Sequence, residues 1–142
     1  MPEIIPFQAL YYNQEKFKDL SPLVCPPYDV ISSREQDFYF STDPHNFIQI
    51  LLRKDDPAED KYKKTGEIFR EWIKEGIFVQ NKEKAIYFYS HQYSIKGERK
   101  TRLGFIALLR LGEKDSSVFA HENTRQKAKD DRFRVLKETN AN

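Results

Sequence analysis

The strongest hydrophobic pattern in the chain lies between Asp56 and Gly76. Its apolar side chains recur at the spacing of one helix face, as in an amphipathic helix packed on a core; they are Ala58, Tyr62, Ile68, Phe69, Trp72 and Ile73. Asp56 followed by Pro57 is a start signal, and Gly76 is a C-terminal stop. The pattern predicts a helix from Asp56 to about Glu75.

A different period, with side chains alternating between two sides, runs from Ala85 to Ile95 and predicts a strand. Lys96–Arg99 is its hairpin connection, and Leu103–Leu111 is the partner strand, whose two-sided apolar pattern predicts a central position in a sheet. Shorter apolar runs predict four more strands, over Ile4–Leu10, Phe47–Leu52, Ile77–Val79 and Val118–His121. In the first of these, Pro6 marks an edge or a bulge. The second is rich in Ile and Leu and is predicted to be buried.

The residue types within Ser21–Val30, and in the helix after it, predict the local conformation of the chain. Three prolines within positions 22–27 forbid a helix and predict a stiff, extended or turned chain. Ser32 and Glu35 have the spacing of a capping box, which predicts a short helix to about residue 40. The Asp-Pro step at residue 43 ends it.

Thr124 is the predicted cap of a last helix that extends to about Lys137. Phe133 and Leu136 form its thin apolar stripe. Together these elements predict an α+β fold, with a mostly antiparallel sheet and helices packed on it. Residues 1–142 are expected to form a single domain.

Composition narrows the class of protein. The 142 residues carry a formal net charge of +2, with 39% hydrophobic and 32% charged residues, which is the composition of a globular domain. No apolar stretch is long enough to span a bilayer, and the N-terminus lacks the pattern of a signal peptide. One cysteine, Cys25, excludes an internal disulfide and indicates a reducing compartment, so we expect a cytoplasmic protein without a membrane partner.

Several common chemistries have no sequence signature here. The five glycines form no dinucleotide-binding or P-loop pattern, and no G-x-S-x-G motif is present. His45, His91 and His121 lie far apart, which argues against a zinc site. Cys25 has no cationic neighbour in sequence and is interpreted as a small buried hydrophobe.

Pro26–Val30 is the first candidate site segment. A rigid diproline would present Tyr28 and Asp29 in a fixed geometry, where Asp29 could bind an amine, a hydroxyl or a metal-bound water. The alternative is that Asp29 merely closes the turn before the cap at Ser32.

His121–Arg125 is the second candidate segment, because it lies at a predicted junction from strand to helix, where backbone amides favour anions. Glu122 could act as a general base on a hydroxyl. Four basic side chains that follow could neutralise phosphate oxygens: Arg125, Lys127, Lys129 and Arg132. The alternative is a capped, solvated helix with an ordinary charge mixture.

A third cluster, basic residues between Lys96 and Arg110, could meet nucleic acid. The alternative, which we favour, is a solvated hairpin, because no recognition motif is visible and the whole chain is nearly neutral. A nucleic-acid partner is therefore not expected from the sequence.

Taken in order, these segments resemble a known bacterial family, domain of unknown function 1015, over essentially the whole chain. The resemblance is carried by the strand Ile-Ile-Pro-Phe-Gln-Ala-Leu, by Pro26–Ser32, Asn46-Phe47 and Trp72–Gly76, and by His121–Arg125 followed by Asp131-Arg132.

That resemblance implies a distant likeness to the ParB/sulfiredoxin fold group, which includes free-serine kinases. It implies a nucleotide-dependent phosphotransferase acting on a small hydroxyl substrate such as free serine, with ATP or ADP and Mg as co-substrate and cofactor. Glu122, beside His121, would take the proton from the serine hydroxyl. The substrate or phosphate would be held by Tyr28, Asp29, Thr124, Arg125 and Arg132. The alternatives are a ParB-like nucleic-acid-binding module and a non-catalytic accessory domain.

The chain departs from the family in one respect, since it does not contain the Asp-Gly-His-His-Arg segment of the kinases. The resemblance therefore implies the N-terminal portion of a longer family member, with an incomplete ParB/sulfiredoxin-like core at its C-terminal end. The remainder of the parent chain would be its partner, and the isolated chain would have little or no activity.

Overall fold

Eleven helices and strands are described in this computed structural model, which covers residues 3–110 and 125–141. In chain order they are β1 (Ile4–Ile5), β2 (Leu10–Tyr12), a 3₁₀ helix (Ser21–Leu23), α1 (Ser33–Thr42), α2 (Ile48–Leu51), α3 (Lys61–Lys74), β3 (Phe78–Gln80), β4 (Tyr87–Ile95), β5 (Glu98–Ile106), β6 (Leu108–Leu109) and α4 (Gln126–Thr139). The 3₁₀ helix contradicts the prediction that the prolines forbid a helix here, because Pro22 lies in its first turn, where a proline is tolerated. The class is α+β, as predicted. The strands form three two-stranded sheets, β1–β6, β2–β3 and β4–β5, rather than one larger sheet.

The chain divides into two compact units. Among the described residues, the first unit contains 3–10 and 80–110, and the second contains 11–79 and 125–141. The expectation of a single domain stays a prediction. No helix of the described residues has the length and apolar character needed to cross a membrane.

The first unit is dominated by the antiparallel β4–β5 hairpin, in which Tyr87 pairs with Ile106 and Ile95 pairs with Glu98. Lys96 and Gly97 form its turn, and both have positive φ, 50° and 82°. Two successive positive φ values define the tight turn that suits a twisted hairpin, and glycine adopts them most readily. The predicted central position of the second strand is wrong within the described residues, where β5 pairs with β4 alone.

The first predicted strand, Ile4–Leu10, is interrupted. Its start is β1, which pairs with β6, and its last residue begins β2. Pro6 lies between them and lacks an amide donor for a ladder. Phe7, in the middle of this segment, forms an isolated bridge with Ala85. The single strand predicted over Ile4–Leu10 is therefore wrong, because the chain leaves the strand at Pro6.

The second unit has its core on α3. Phe69 and Trp72 on this helix pack with Ile50, Ile77 and Phe78, all buried. Aromatic contacts dominate, and the Trp72 and Phe78 ring centroids lie 5.3 Å apart in an edge-on arrangement. Of the six apolar positions predicted for this face, Phe69 and Trp72 build the core and Ile68 packs against it. The other predictions fare differently: Ile73 is 41% exposed, and Ala58 lies before the helix begins.

The start of α3 corrects the sequence prediction. Asp60, rather than Asp56, is its N-cap, and its side chain accepts hydrogen bonds from the amides of Tyr62 and Lys63. The Asp56 side chain accepts from the Ala58 amide and closes a separate turn. Asp56 and Asp60 can both cap the N-terminus of a helix, so the sequence is compatible with two helix starts. Tertiary packing determines that the helix begins after the later aspartate. The C-terminal stop is as predicted, with Gly76 at φ +68°.

Phe47–Leu52 was predicted as a buried strand, and that prediction is wrong. The segment forms the single helical turn α2, in which Ile48 and Ile50 are buried. The side chain of Asn46 accepts the Ile48 amide at 2.9 Å and so starts the helical turn. An apolar run this short has no period that separates a strand from a buried helical turn.

The capping box before α1 is confirmed. The Glu35 amide donates to the Ser32 hydroxyl at 3.3 Å, and the Ser32 amide donates to the Glu35 carboxylate at 2.8 Å. The helix ends at Thr42 with Asp43 as its C-cap, two residues later than predicted. The predicted loop at 112–117, the predicted strand Val118–His121 and the cap Thr124 lie outside the described residues.

The last helix, α4, packs against α3 in the second unit. The two helices approach so closely at Gly66 that a Cβ atom there would lie 2.5 Å from the backbone oxygen of Glu138. Glycine is therefore required by the close helix approach. The apolar stripe of α4 is largely solvent-accessible, since Phe133 is 68% exposed and Leu136 is 48% exposed.

Candidate functional site

The proline-rich segment is fastened to the second unit by Asn46, whose side chain is fully buried. The Asn46 amide group donates to the carbonyls of Pro22 at 2.7 Å and Val24 at 3.1 Å, while its oxygen accepts from Ile48. Every polar atom of this side chain therefore has a partner, as buried polar groups require. Asn46 fixes the chain just before the diproline.

The diproline leads directly into a turn over residues 28–30. The Val30 amide donates to the Pro27 carbonyl at 3.2 Å and closes this turn. Tyr28 is half-buried, whereas Asp29 is exposed. Within the described residues no hydrogen-bond donor occupies the Asp29 carboxylate, so this group is directed at solvent from a stiff segment. This geometry accommodates both interpretations of Asp29, as a ligand-binding group and as a turn residue.

Tyr28 and Arg132, two candidates from segments far apart in the sequence, are in contact. The guanidinium carbon of Arg132 lies 4.3 Å from the centroid of the Tyr28 ring. At this distance the positive charge interacts favourably with the electrons of the ring face. The turn after the diproline is thus held against α4.

Arg132 is itself held by two further partners. Its Nε donates to Asp131 Oδ2 at 3.0 Å, Nη2 donates to the same carboxylate oxygen, and Nη1 donates to the Leu51 carbonyl at 2.7 Å. A guanidinium has five N–H donors, so two remain. Both charged side chains are about three-quarters buried, with 22% and 24% of their surface exposed. Arg132 is therefore a positioned group that links α2, α4 and the Tyr28 turn.

The carboxylate of Asp131 receives a second donor from α3. The Tyr62 hydroxyl donates to Asp131 Oδ1 at 2.8 Å. Burial alone would raise the pKa of Asp131, but the hydrogen bonds from Arg132 and Tyr62 outweigh burial and hold this pKa below its ordinary value. Burial, followed by the same bond to Asp131, raises the pKa of Tyr62. Asp131 therefore stays ionised at neutral pH.

The sequence analysis did not assign roles to Asn46, Tyr62 or Asp131. Asn46 and Asp131 belong to the segments that carry the family resemblance, which was the only available signal. Tyr62 was counted as an apolar position of α3. The period of a helix does not reveal which group a tyrosine hydroxyl will contact.

An open groove of about 420 Å³ lies beside this network on the second unit. It is lined by three acidic, three basic and one aromatic residue: Asp55, Asp130, Asp131, Lys61, Lys127, Arg134 and Tyr62. A second space, lined in part by Leu51 and Arg132, has a volume of only about 10 Å³, which is enough for a single water.

The start of α4 adds backbone amides and positive charge. Arg125 precedes the helix and is exposed, and its carbonyl accepts from the amides of Ala128 and Lys129 at 3.0 and 3.1 Å. By helix geometry the amides of the first turn point out of the helix start, where the helix dipole favours an anion. Arg125, Lys129 and Arg132 follow at helix spacing and share one face.

Three of the predicted site residues, His121, Glu122 and Thr124, lie outside the described residues. The role of Glu122 as a base stays a prediction. Within residues 3–110 and 125–141, no group of three or more His, Cys, Asp or Glu side chains is placed to hold a metal ion. Burial raises the pKa of the half-buried Cys25 thiol to about 11, which disfavours the reactive thiolate.

Comparison with known proteins gives one match. The family described as "Protein of unknown function (DUF1015)" matches residues 4–142. No curated protein and no solved structure matches the chain.

Proposed function

The chain belongs to the DUF1015 family, and from that premise we propose that it carries part of the site of a nucleotide-dependent phosphotransferase acting on a small hydroxyl compound such as free serine. The observation that carries the proposal is the contact between Tyr28 and Arg132, 4.3 Å from ring centroid to guanidinium carbon. It joins two of the segments that carry the family resemblance. Both segments belong to one compact unit, so they can serve one ligand.

Phosphate is held, in this proposal, at the start of α4. Arg125 and Lys129 supply exposed cationic side chains, and the first amides of the helix supply backbone donors. Arg132 is already engaged with Asp131 and Leu51, so its main part is to position Tyr28. Thr124 is proposed to add a hydroxyl donor to the same phosphate. The exposed carboxylate of Asp29 would bind the ammonium group of a free amino acid.

The reaction is a transfer of one phosphoryl group. Glu122 accepts the proton of the substrate hydroxyl, and the hydroxyl oxygen forms a bond to the terminal phosphorus of the nucleotide. The bond from that phosphorus to the bridging oxygen breaks, and its electron pair leaves with the nucleotide. Positioning and charge neutralisation dominate such reactions, which suits a site rich in cations. Magnesium, bound with the nucleotide, would neutralise charge on the phosphate oxygens.

The experiment is a phosphorus NMR assay of the full-length protein with ATP or ADP, magnesium and free serine. The expected result is phosphoserine formation that is abolished in Glu122→Gln and retained in the control Glu71→Gln on an exposed position of α3. Asp29→Asn is expected to raise the KM for serine. Absence of any turnover stimulated by a hydroxyl amino acid would contradict the proposal, as would a folded and fully active Glu122→Gln variant.

A non-catalytic accessory role is the second candidate, favoured by the exposed apolar stripe of α4. Phe133 and Leu136 are 68% and 48% exposed, and they would form an interface with the remainder of the parent chain. In that case Phe133→Ser lowers the thermal stability of the full-length protein, whereas residues 1–142 alone are unaffected. An equal effect on both would argue against an interface.

A further inference from the structure

We propose that one face of the β4–β5 hairpin binds single-stranded nucleic acid. This face, called here the aromatic–basic face, carries Tyr89, His91 and Tyr93 on β4 and Lys100 and Arg102 on β5. It belongs to the first unit, whereas the phosphotransferase proposal rests on the second. A result that refutes one proposal therefore does not refute the other.

The register of the hairpin places these side chains together. His91 pairs with Arg102, and Tyr93 pairs with Lys100. Directly paired residues of an antiparallel hairpin point to the same side, and residues two apart along a strand do so as well. Tyr89, His91 and Tyr93 therefore form one row, with the two cations in the row beside it.

The rings and cations of this face are in mutual contact. The His91 and Tyr93 ring centroids lie 5.6 Å apart, and the Arg102 guanidinium carbon lies 5.7 Å from the Tyr93 centroid. Tyr89 lies across β5 over Gly104, since a Cβ atom on that glycine would be only 2.5 Å from the ring. Gly104 thus leaves room for a ring to lie flat on the strand, as a stacking surface requires.

The hairpin is anchored at one end and accessible along the rest of this face. Tyr87, at the base, has its hydroxyl bonded to the Phe7 carbonyl at 3.1 Å and to the Ala9 amide at 2.9 Å. Beyond it Tyr89 is 45% exposed, and both His91 and Arg102 are exposed. The rings are thus available to a ligand while the base of the hairpin is fixed.

Positive charge is concentrated on the β4–β5 hairpin, which the nearly neutral total conceals. The hairpin and its turn contain four cations, Lys96, Arg99, Lys100 and Arg102, against one acidic residue, Glu98. Glu98 forms an ion pair with Lys100 at 2.6 Å. The hairpin as a whole keeps an excess of positive charge, which favours a polyanion.

The chemistry of the face selects a single strand. Exposed rings stack on bases, and cations beside them contact the phosphate backbone, which together are the features of single-strand binding surfaces. A duplex keeps its bases stacked on one another and offers these rings no partner. The opposite face of the hairpin is more apolar. Phe88 pairs there with Phe105, with 6.4 Å between the ring centroids, and Leu103 is 79% exposed. Arg99 is the cation that β5 places on that face.

The test is fluorescence anisotropy with a labelled oligo(dT) of twenty nucleotides, an oligo(U) of the same length and a duplex control, titrated with the full chain. The expected result is binding of both single strands in preference to the duplex, with affinity that falls steeply as salt increases. Tyr93→Ala and Tyr89→Ala are expected to weaken binding about 10-fold each. Arg102→Ala is expected to lower the slope of log Kd against log salt by about 1.

Two variants on the opposite face are the matched controls. Phe88→Ala removes a ring and Arg99→Ala removes a cation from that face, and each is expected to change Kd less than about twofold. Circular dichroism checks that all variants keep their fold. No binding at low salt would overturn the proposal, as would equal losses from both faces. Tighter binding of poly-glutamate than of oligo(dT) would assign the face to acidic peptides instead and would equally overturn it.

Discussion

The Arg132 guanidinium lies over the Tyr28 ring, 4.3 Å from its centroid, and so ties the turn after the diproline to α4. The same guanidinium is bonded to Asp131 and to the Leu51 carbonyl. One side chain therefore organises three parts of the second unit. The predictions below test this organisation and the packing that supports it.

The contact between Tyr28 and Arg132 should be measurable as a coupling energy. In a double-mutant cycle of Tyr28→Ala and Arg132→Ala, we expect a coupling of about 1 kcal/mol in the free energy of unfolding, measured with urea. Tyr28→Phe keeps the ring and should keep most of the stability. Additive effects, within about 0.3 kcal/mol, would show that the contact contributes nothing.

Asp131 should make stability depend on pH in the acid range. Its pKa is lowered in the folded state, so its contribution is fully present above the ordinary aspartate pKa and is lost as pH falls through the folded value. Asp131→Asn should cost about 2 kcal/mol at pH 7, because Arg132 loses its partner. The difference from the wild type should shrink below about pH 4. Urea titrations across this pH range measure the difference in unfolding free energy, with Asp130→Asn on the exposed side of α4 as the control. A difference that does not depend on pH would contradict the lowered pKa of Asp131.

Asn46 should be essential for the position of the proline-rich segment. Asn46→Ala removes the partners of the Pro22 and Val24 carbonyls and of the Ile48 amide, and should cost about 3 kcal/mol. Hydrogen exchange should increase in residues 21–31 more than in α3. Gln14→Ala, at an exposed position, serves as the control. A loss below about 0.5 kcal/mol would mean that the segment is held by other contacts.

Gly66 tests the close approach of α3 and α4. In an isolated helix, Gly→Ala stabilises by about 1 kcal/mol. Here the added Cβ would lie 2.5 Å from the Glu138 oxygen, a backbone atom that cannot move without the helix. We therefore expect Gly66→Ala to destabilise by about 2 kcal/mol in thermal unfolding. Lys63→Ala, on the exposed side of the same helix, should change stability by less than about 0.5 kcal/mol. A stabilised Gly66→Ala variant would refute the close packing.

Features governed by neighbouring residues were predictable from the sequence. The capping box at Ser32 and Glu35, the stop at Gly76 and the hairpin turn at Lys96 depend on residues within four positions, and all three are confirmed. The amphipathic face of α3 was also evident, because its period extends over several turns. The α+β class followed from these elements.

Features that depend on distant partners were not predictable. The turn α2 was predicted to be a strand because a segment of six residues, five of them apolar, carries no distinguishing period. The bonds that decide its conformation come from Asn46. The pairing of Tyr28 with Arg132 and the bond of Tyr62 to Asp131 require knowledge of the packing of α3 and α4. The sequence indicated the candidate functional residues, and the fold determines which of them are in contact.

The central claim is that the turn at Tyr28 and the start of α4 belong to one ligand-binding site, with phosphate held at the start of α4. NMR chemical-shift mapping with the isotopically labelled full chain tests it most directly, using inorganic phosphate and then ATP as the titrants. The account predicts that the amides of residues 28–31 and 125–129 shift together with one dissociation constant, and that Arg125→Ala weakens both sets equally. Shifts confined to one of the two segments, or shifts with different dissociation constants, would contradict a shared site.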